Sequence, residues 1–95
     1  MSMFFMFGTY SSESVRKISK ERTKEILEIV NKFGGEINAM YVLLGAYDLV
    51  LIANFADMKI ALQASIAMTR ATGISFSTLP AISVEEFDEM MGNKE

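Results

Sequence analysis

The chain contains neither cysteine nor histidine, and only one proline in 95 residues. Without cysteine there is no disulfide, no Cys₄ zinc site, no iron–sulfur cluster and no thiol nucleophile. Without histidine there is no Ser–His–Asp triad, no imidazole acid or base, no His-bound haem iron and no H-E-x-x-H zinc site. Positive charge is also scarce. Nine Lys and Arg stand against twelve Asp and Glu, a net charge of −3. Phosphate backbones are bound by clustered basic residues, so no nucleic-acid partner is expected. The one basic concentration, Arg16, Lys17, Lys20, Arg22 and Lys24, is interleaved with Glu13, Glu21, Glu25 and Glu28, as on a solvated helix face. Long hydrophobic runs are missing too: residues 41–44 and 49–53 fall far short of the ~20 residues a membrane helix needs. Residues 3–7 have neither a basic leader nor a small-residue cleavage site, so no signal peptide is expected. The expectation is one cytoplasmic domain over residues 1–95, with no membrane, no metal and no cofactor.

What is there is apolar material, 51% of the chain including eight methionines, arranged in short periodic segments. Residues 3–10 are aromatic-rich and read as a strand ending at Ser11-Ser12. Over residues 13–33, Val15, Ile18, Ile26, Ile29, Val30 and Phe33 recur at helical steps. Ser11 or Ser12 is the expected N-cap and Gly34 the residue past the end, with a break signalled near Ser19. Residues 36–44 and 47–55 read as two strands of a hairpin turning tightly at Gly45-Ala46. Asp57 caps a second helix that runs to about Thr72 and closes at Gly73. A fourth strand follows over residues 74–79, and Ser83 with Glu86 forms a capping box for an acidic helix to Met91. The order β-α-β-β-α-β plus a terminal helix predicts an α+β, ferredoxin-like split βαβ fold. One four-stranded antiparallel sheet has both long helices on one face, with strands one and three central.

In such a two-layer domain the uncovered sheet face should be polar. Here it is not. Strand one alternates Met3, Phe5, Phe7 with Phe4, Met6, Tyr10; strand two alternates Ile37, Ala39, Tyr41, Leu43 with Met40, Val42, Leu44; strand three alternates Leu49, Leu51, Ala53, Phe55 with Val50, Ile52. Whichever face the helices take, large apolar side chains remain on the other, worth roughly 12–24 kcal/mol as an upper bound if fully buried. A patch of that kind is uncommon on a monomer, and two-fold self-association is the usual cover. A homodimer or higher homo-oligomer, closed through the open sheet face, is therefore expected.

The hairpin segment Tyr41-Val42-Leu43-Leu44-Gly45-Ala46-Tyr47-Asp48-Leu49-Val50 carries a G-x-Y-D turn between apolar strands. It resembles the signature of the GYD domain family. Gly8-Thr9-Tyr10-Ser11, Phe33-Gly34-Gly35-Glu36-Ile37, the Ala-rich second helix and Glu85-Glu86-Phe87 are similar to that family as well. The resemblance implies a ferredoxin-like domain related to the dimeric α/β-barrel proteins. That wider group includes small monooxygenases, degradative enzymes and stress-response proteins. Its haem-dependent members use a proximal histidine, which this chain lacks.

Each candidate site residue has two readings. Tyr47 and Asp48, with Gly45 the motif residues, could orient a polar substrate with Asp48 as base. Equally, Asp48 could accept backbone amides at the turn while Tyr47 packs on the rim. Gly8 either leaves room for a ligand or marks a bulge or close backbone approach. Tyr10 and Tyr41 either offer hydroxyls to a cavity between sheet and helices or are core aromatics with a wet tip. Arg16, and Arg70 near a helix end, either clamp an anion or face solvent. Together these readings predict a non-enzymatic module for a small apolar or aromatic ligand or a protein partner. The competing reading is a cofactor-independent monooxygenase- or isomerase-like enzyme using Tyr47 and Asp48.

Overall fold

Alternating apolar residues build the strands, and capped amphipathic stretches build the helices, in the order the sequence predicts. The computed structural model describes residues 1–92. It contains β1 (Ser2–Thr9), α1 (Ser12–Val15), α2 (Lys20–Lys32), β2 (Glu36–Val42), β3 (Leu49–Phe55), α3 (Met58–Thr72), β4 (Ser75–Ala81) and α4 (Val84–Gly92). The strands form one antiparallel sheet in the order β2-β3-β1-β4, so β1 and β3 are central. This is the ferredoxin-like arrangement.

The core lies between sheet and helices. Phe4 and Met6 of β1 and Leu49, Leu51, Ala53 and Phe55 of β3 are buried against Ile26 and Val30 of α2 and Ala61, Ala64 and Met68 of α3. Phe4 meets Phe55 edge-on at 6.1 Å, a geometry the ring quadrupoles favour. The alanines of α3 let its backbone approach the sheet closely. On the flank of α3, Met58, Leu62 and Ile66 stay exposed, and α4 buries no side chain at all.

Local chemistry alters four features of this reading. The break signalled near Ser19 is complete and divides residues 13–33 into two helices. Ser11 caps α1 and exchanges bonds with Ser14, whose amide donates to Ser11 Oγ at 2.9 Å while the Ser11 amide donates to Ser14 Oγ at 2.7 Å. Ser19 then takes an extended backbone and accepts from the Arg22 amide at 3.1 Å. A serine that offers its side chain to the backbone competes with helix continuation and restarts it. Val15 and Ile18 consequently lie on the surface rather than on a continuous buried stripe. At α4, Ser83 Oγ accepts from the Glu86 amide at 3.0 Å; the reciprocal pair of a full capping box sits instead at α1.

The hairpin is longer than the two-residue turn expected. β2 ends at Val42 and β3 starts at Leu49, with the Leu43 amide donating to the Asp48 carbonyl at 2.8 Å. Gly45 has φ +154°, a conformation side chains avoid, and Leu44 points fully into solvent. The fourth strand is Ser75–Ala81, shifted towards the C-terminus of the expected segment.

The fourth correction concerns which residues share a face. A register irregularity between Ile37 and Ala39 leaves Asn38 as an extra residue in β2, a bulge that resets the alternation. Ile37 therefore pairs with Ala53, Met40 with Leu51 and Val42 with Leu49 on the helix side, while Ala39 and Tyr41 pair with Ile52 and Val50 on the open side. The sequence alternation had grouped Ile37 with Tyr41.

Gly35 leads into β2 where a Cβ would meet the Phe55 ring at 2.6 Å and the Asn54 carbonyl at 2.8 Å. Gly35→Ala should cost about 1–3 kcal/mol through overpacking. Gly92→Ala, with nothing near the added methyl, should stay within about 0.5 kcal/mol. Thermal unfolding of the two variants beside the parent checks the contrast.

Candidate functional site

The end of β1, the beginning of β3 and the α1–α2 turn converge at one end of the sheet, and Asp48 ties the two strands together. Its Oδ2 accepts from the Tyr10 amide at 2.8 Å, its own amide donates to the Gly8 carbonyl at 2.9 Å, and its carbonyl receives the Leu43 amide. One residue thus joins β1 to the hairpin through side chain and backbone together. Charged acceptors of backbone amides make the stronger class of hydrogen bond. The amide that the carboxylate accepts comes from the end of β1 and not from the hairpin turn itself.

Tyr47 faces elsewhere. Its ring lies 4.9 Å from that of Phe7, which in turn lies 6.3 Å from Phe5, so it extends the aromatic row of the open sheet face. Asp48 and Tyr47 are neighbours in sequence, but the sheet separates their side chains. Gly8 is buried and in regular register with both neighbouring strands. A Cβ there would meet Ile74 Cγ2 at 3.0 Å and Phe76 Cε1 at 3.1 Å. Gly8 marks a close approach, and the bulge is at Asn38 instead.

On the helix side the same end of the sheet opens into a cleft of about 200 Å³. Ile18, Ile26, Met40, Val42, Leu49 and Ile74 wall it, and Tyr10, Ser19, Arg22, Thr23 and Tyr41 supply its polar edge. Arg22 is half-buried. Its guanidinium lies 5.1 Å from the centre of the Tyr10 ring, a cation–π contact, and its Nη1 donates to the Ser14 carbonyl. Among the described residues the one ion pair within 4.0 Å joins Lys17 to Glu13 at 3.5 Å. Arg22 therefore has no carboxylate partner there.

Tyr10 borders this cleft. Tyr41 reaches its rim but stands in register with Val50 on the open face and is 59% exposed. Arg16 follows α1 on the surface and lines neither the cleft nor the groove beside it. That groove, about 650 Å³ and open, runs between α2 and the C-terminal end of α3 and holds Arg70 with Glu21, Glu25 and Glu28. The arginine at the cleft is Arg22, which the sequence reading had placed among solvated charges. The available signal was Ser19: read as a helix start, it puts Arg22 in a first turn facing the end of β1. No group of three or more Asp, Glu, His or Cys among the described residues could hold a metal ion. No helix among them is long and apolar enough to cross a membrane.

Comparison with known proteins agrees with this geometry. No curated protein matches the chain significantly. Two solved structures share its fold. One is FFRP-DM1, with a TM-score of 0.60 and 24% identity over 86% of this chain and 100% of that one. The other is the leucine response regulatory protein LrpA of Mycobacterium tuberculosis, with a TM-score of 0.58 and 8% identity. The match to LrpA covers 87% of this chain but 51% of that protein, so the chain spans about half its length. The model of the GYD domain matches residues 4–91, nearly the whole described chain and the hairpin motif within it. The chain belongs to the GYD domain family.

Proposed function

We propose that this GYD domain is one half of a cytoplasmic homodimer, or of a higher homo-oligomer of the dimeric α/β-barrel type. In this reading it is a single non-enzymatic domain that binds a small apolar or aromatic ligand. The open sheet face carries the proposal. Across it run Leu79, Phe5, Ile52 and Ala39 in one row and Phe7, Val50 and Tyr41 in the next, with Tyr47 stacked on Phe7. These side chains partly shelter one another, Val50 being buried and Phe5, Phe7 and Ile52 half-buried. Leu79 and Tyr41 remain 47% and 59% exposed. Neither a Lys nor an Arg lies on β1, β2, β3 or β4, so the face suits an apolar surface like itself and offers nothing to a phosphate backbone.

A second copy is the natural cover for a self-complementary patch, because a two-fold interface places the same residues on both sides. The absence of cysteine and the net negative charge are compatible with a cytoplasmic setting, and no nucleic-acid partner is proposed. The competing reading, a cofactor-independent enzyme using Tyr47 and Asp48, is disfavoured. The Asp48 carboxylate is engaged by the Tyr10 amide, and the Tyr47 ring is on the far side of the sheet from the cleft.

Light scattering of the purified chain should give a mass near 21 kDa (2 × 10.6 kDa) or a multiple at micromolar concentration. Ile52→Glu places a charge in the middle of the face and should shift the population to the single-chain mass. A parent chain that runs as a monomer would sink the assembly. Asp48→Ala leaves the Tyr10 amide unpaired and should cost about 1–3 kcal/mol of stability. Asp48→Asn keeps an oxygen acceptor and should cost less. If Asp48→Asn instead abolished a turnover activity while leaving stability unchanged, the non-enzymatic reading would be wrong.

A further inference from the structure

The Arg22 cleft combines a fixed cation with apolar walls. We infer that it binds a small apolar monocarboxylate, aromatic or branched aliphatic, with the carboxylate on the Arg22 guanidinium and the tail between α2 and β2. The inference deepens the binding-module reading and rests on it.

Three observations define the ligand. The first is the state of Arg22, half-buried yet without a carboxylate among the described residues. A guanidinium has five N–H donors in a planar fork. The structure assigns Nη1 to the Ser14 carbonyl and leaves the others unassigned, so a carboxylate can be met by two parallel bonds. Packing over Tyr10 at 5.1 Å and anchorage on Ser14 hold the fork in place beforehand, which reduces what binding must immobilise.

The second is the contrast between neighbouring surfaces. The open groove beside Arg22 is lined by Glu13, Glu21, Glu25 and Glu28 together with Lys17 and Arg70, so carboxylates outnumber the cations that accompany Arg22 there. No Asp or Glu lines the cleft. An anion approaching Arg22 is therefore directed to the apolar side.

The third is size. The cleft measures about 200 Å³, and an apolar cavity of roughly 150 Å³ accommodates benzene. One ring or one branched chain fits that volume. Ile18, Ile26, Met40, Val42, Leu49 and Ile74 make up most of the lining, with the hydroxyl residues Ser19, Thr23 and Tyr41 beside them, so a mainly apolar tail suits the cleft best. Ile18, Ile26 and Ile74 give branched walls, while Met40 is the adaptable one.

The test titrates phenylacetate, 4-methylpentanoate and neutral phenylacetamide into isotope-labelled full-length chain, following amide signals by NMR and recording translational diffusion in the same samples. Both carboxylates should give saturable shifts centred on Tyr10, Ile18 and Arg22. Phenylacetamide should bind at least about tenfold more weakly, because it cannot make the charge-assisted pair. Arg22→Gln should lose a similar factor. Ile18→Glu alters a surface residue that is 60% exposed. It should keep the fold and weaken the carboxylates by a clearly larger factor than phenylacetamide, so the inference stays testable even if Arg22→Gln unfolds. Equal binding of phenylacetate and phenylacetamide would overturn the carboxylate class and leave the binding-module reading standing. Failure of all three probes to bind would overturn both. Diffusion reports the assembly separately, so a dimer that binds nothing and a monomer that binds phenylacetate are distinct results. The first contradicts this inference and the second only the assembly.

Discussion

Two long helices cover one face of this four-stranded sheet, and both central strands are apolar on the face they leave. β1 presents Phe4 and Met6 to the helices and Met3, Phe5 and Phe7 to the other side; β3 presents Leu49, Leu51, Ala53 and Phe55 one way and Val50 and Ile52 the other. An apolar sheet face of this kind is uncommon on a monomer. The helices form one layer over the sheet, and the proposed assembly would add a second. The bulge at Asn38, the stacking of Tyr47 on Phe7 and the proposed assembly all bear on the second.

The family motif serves both faces at once. Tyr47 adds an aromatic ring to the open side, while Asp48 reaches β1 and fixes the Tyr10 amide. Tyr10 lies beneath Arg22, and Arg22 is tied to the turn between α1 and α2 through Ser14. A run of contacts therefore connects the G-x-Y-D turn to the one half-buried arginine at the cleft. One motif side chain extends the aromatic row of the open face, and the other fixes the backbone of the residue whose ring packs against Arg22.

Elements and topology were legible in the sequence because they depend on local signals. Period-two aromatics gave β1, the Asp57 cap and the Ala-rich run gave α3, and right-handed crossovers gave the strand order. The misread features depend on one competing local preference or on tertiary contact. Ser19 breaks the helix by capping its own backbone, and a single bulged residue turns Ile37 to the opposite face from Tyr41. Neither changes composition or overall periodicity. The cleft was harder still. Arg16 and Arg22 look alike in an alternating charged stretch unless Ser19 is read as a helix start, and the return of β1 under α2 then separates them. Gly8 gave a true signal of crowding, but its cause, Ile74 and Phe76 pressing on the backbone, lies outside its own neighbourhood in sequence.

The central claim is that the Phe5–Phe7–Ile52 face is covered by the same face of a second copy. Isotope-filtered NOE spectra of a mixture of labelled and unlabelled chains test this directly, because they detect only contacts between copies. The account predicts cross-peaks from the Phe5 and Phe7 rings of one copy to the Val50 and Ile52 methyls of another. A spectrum in which every contact of those rings is within one chain would contradict it.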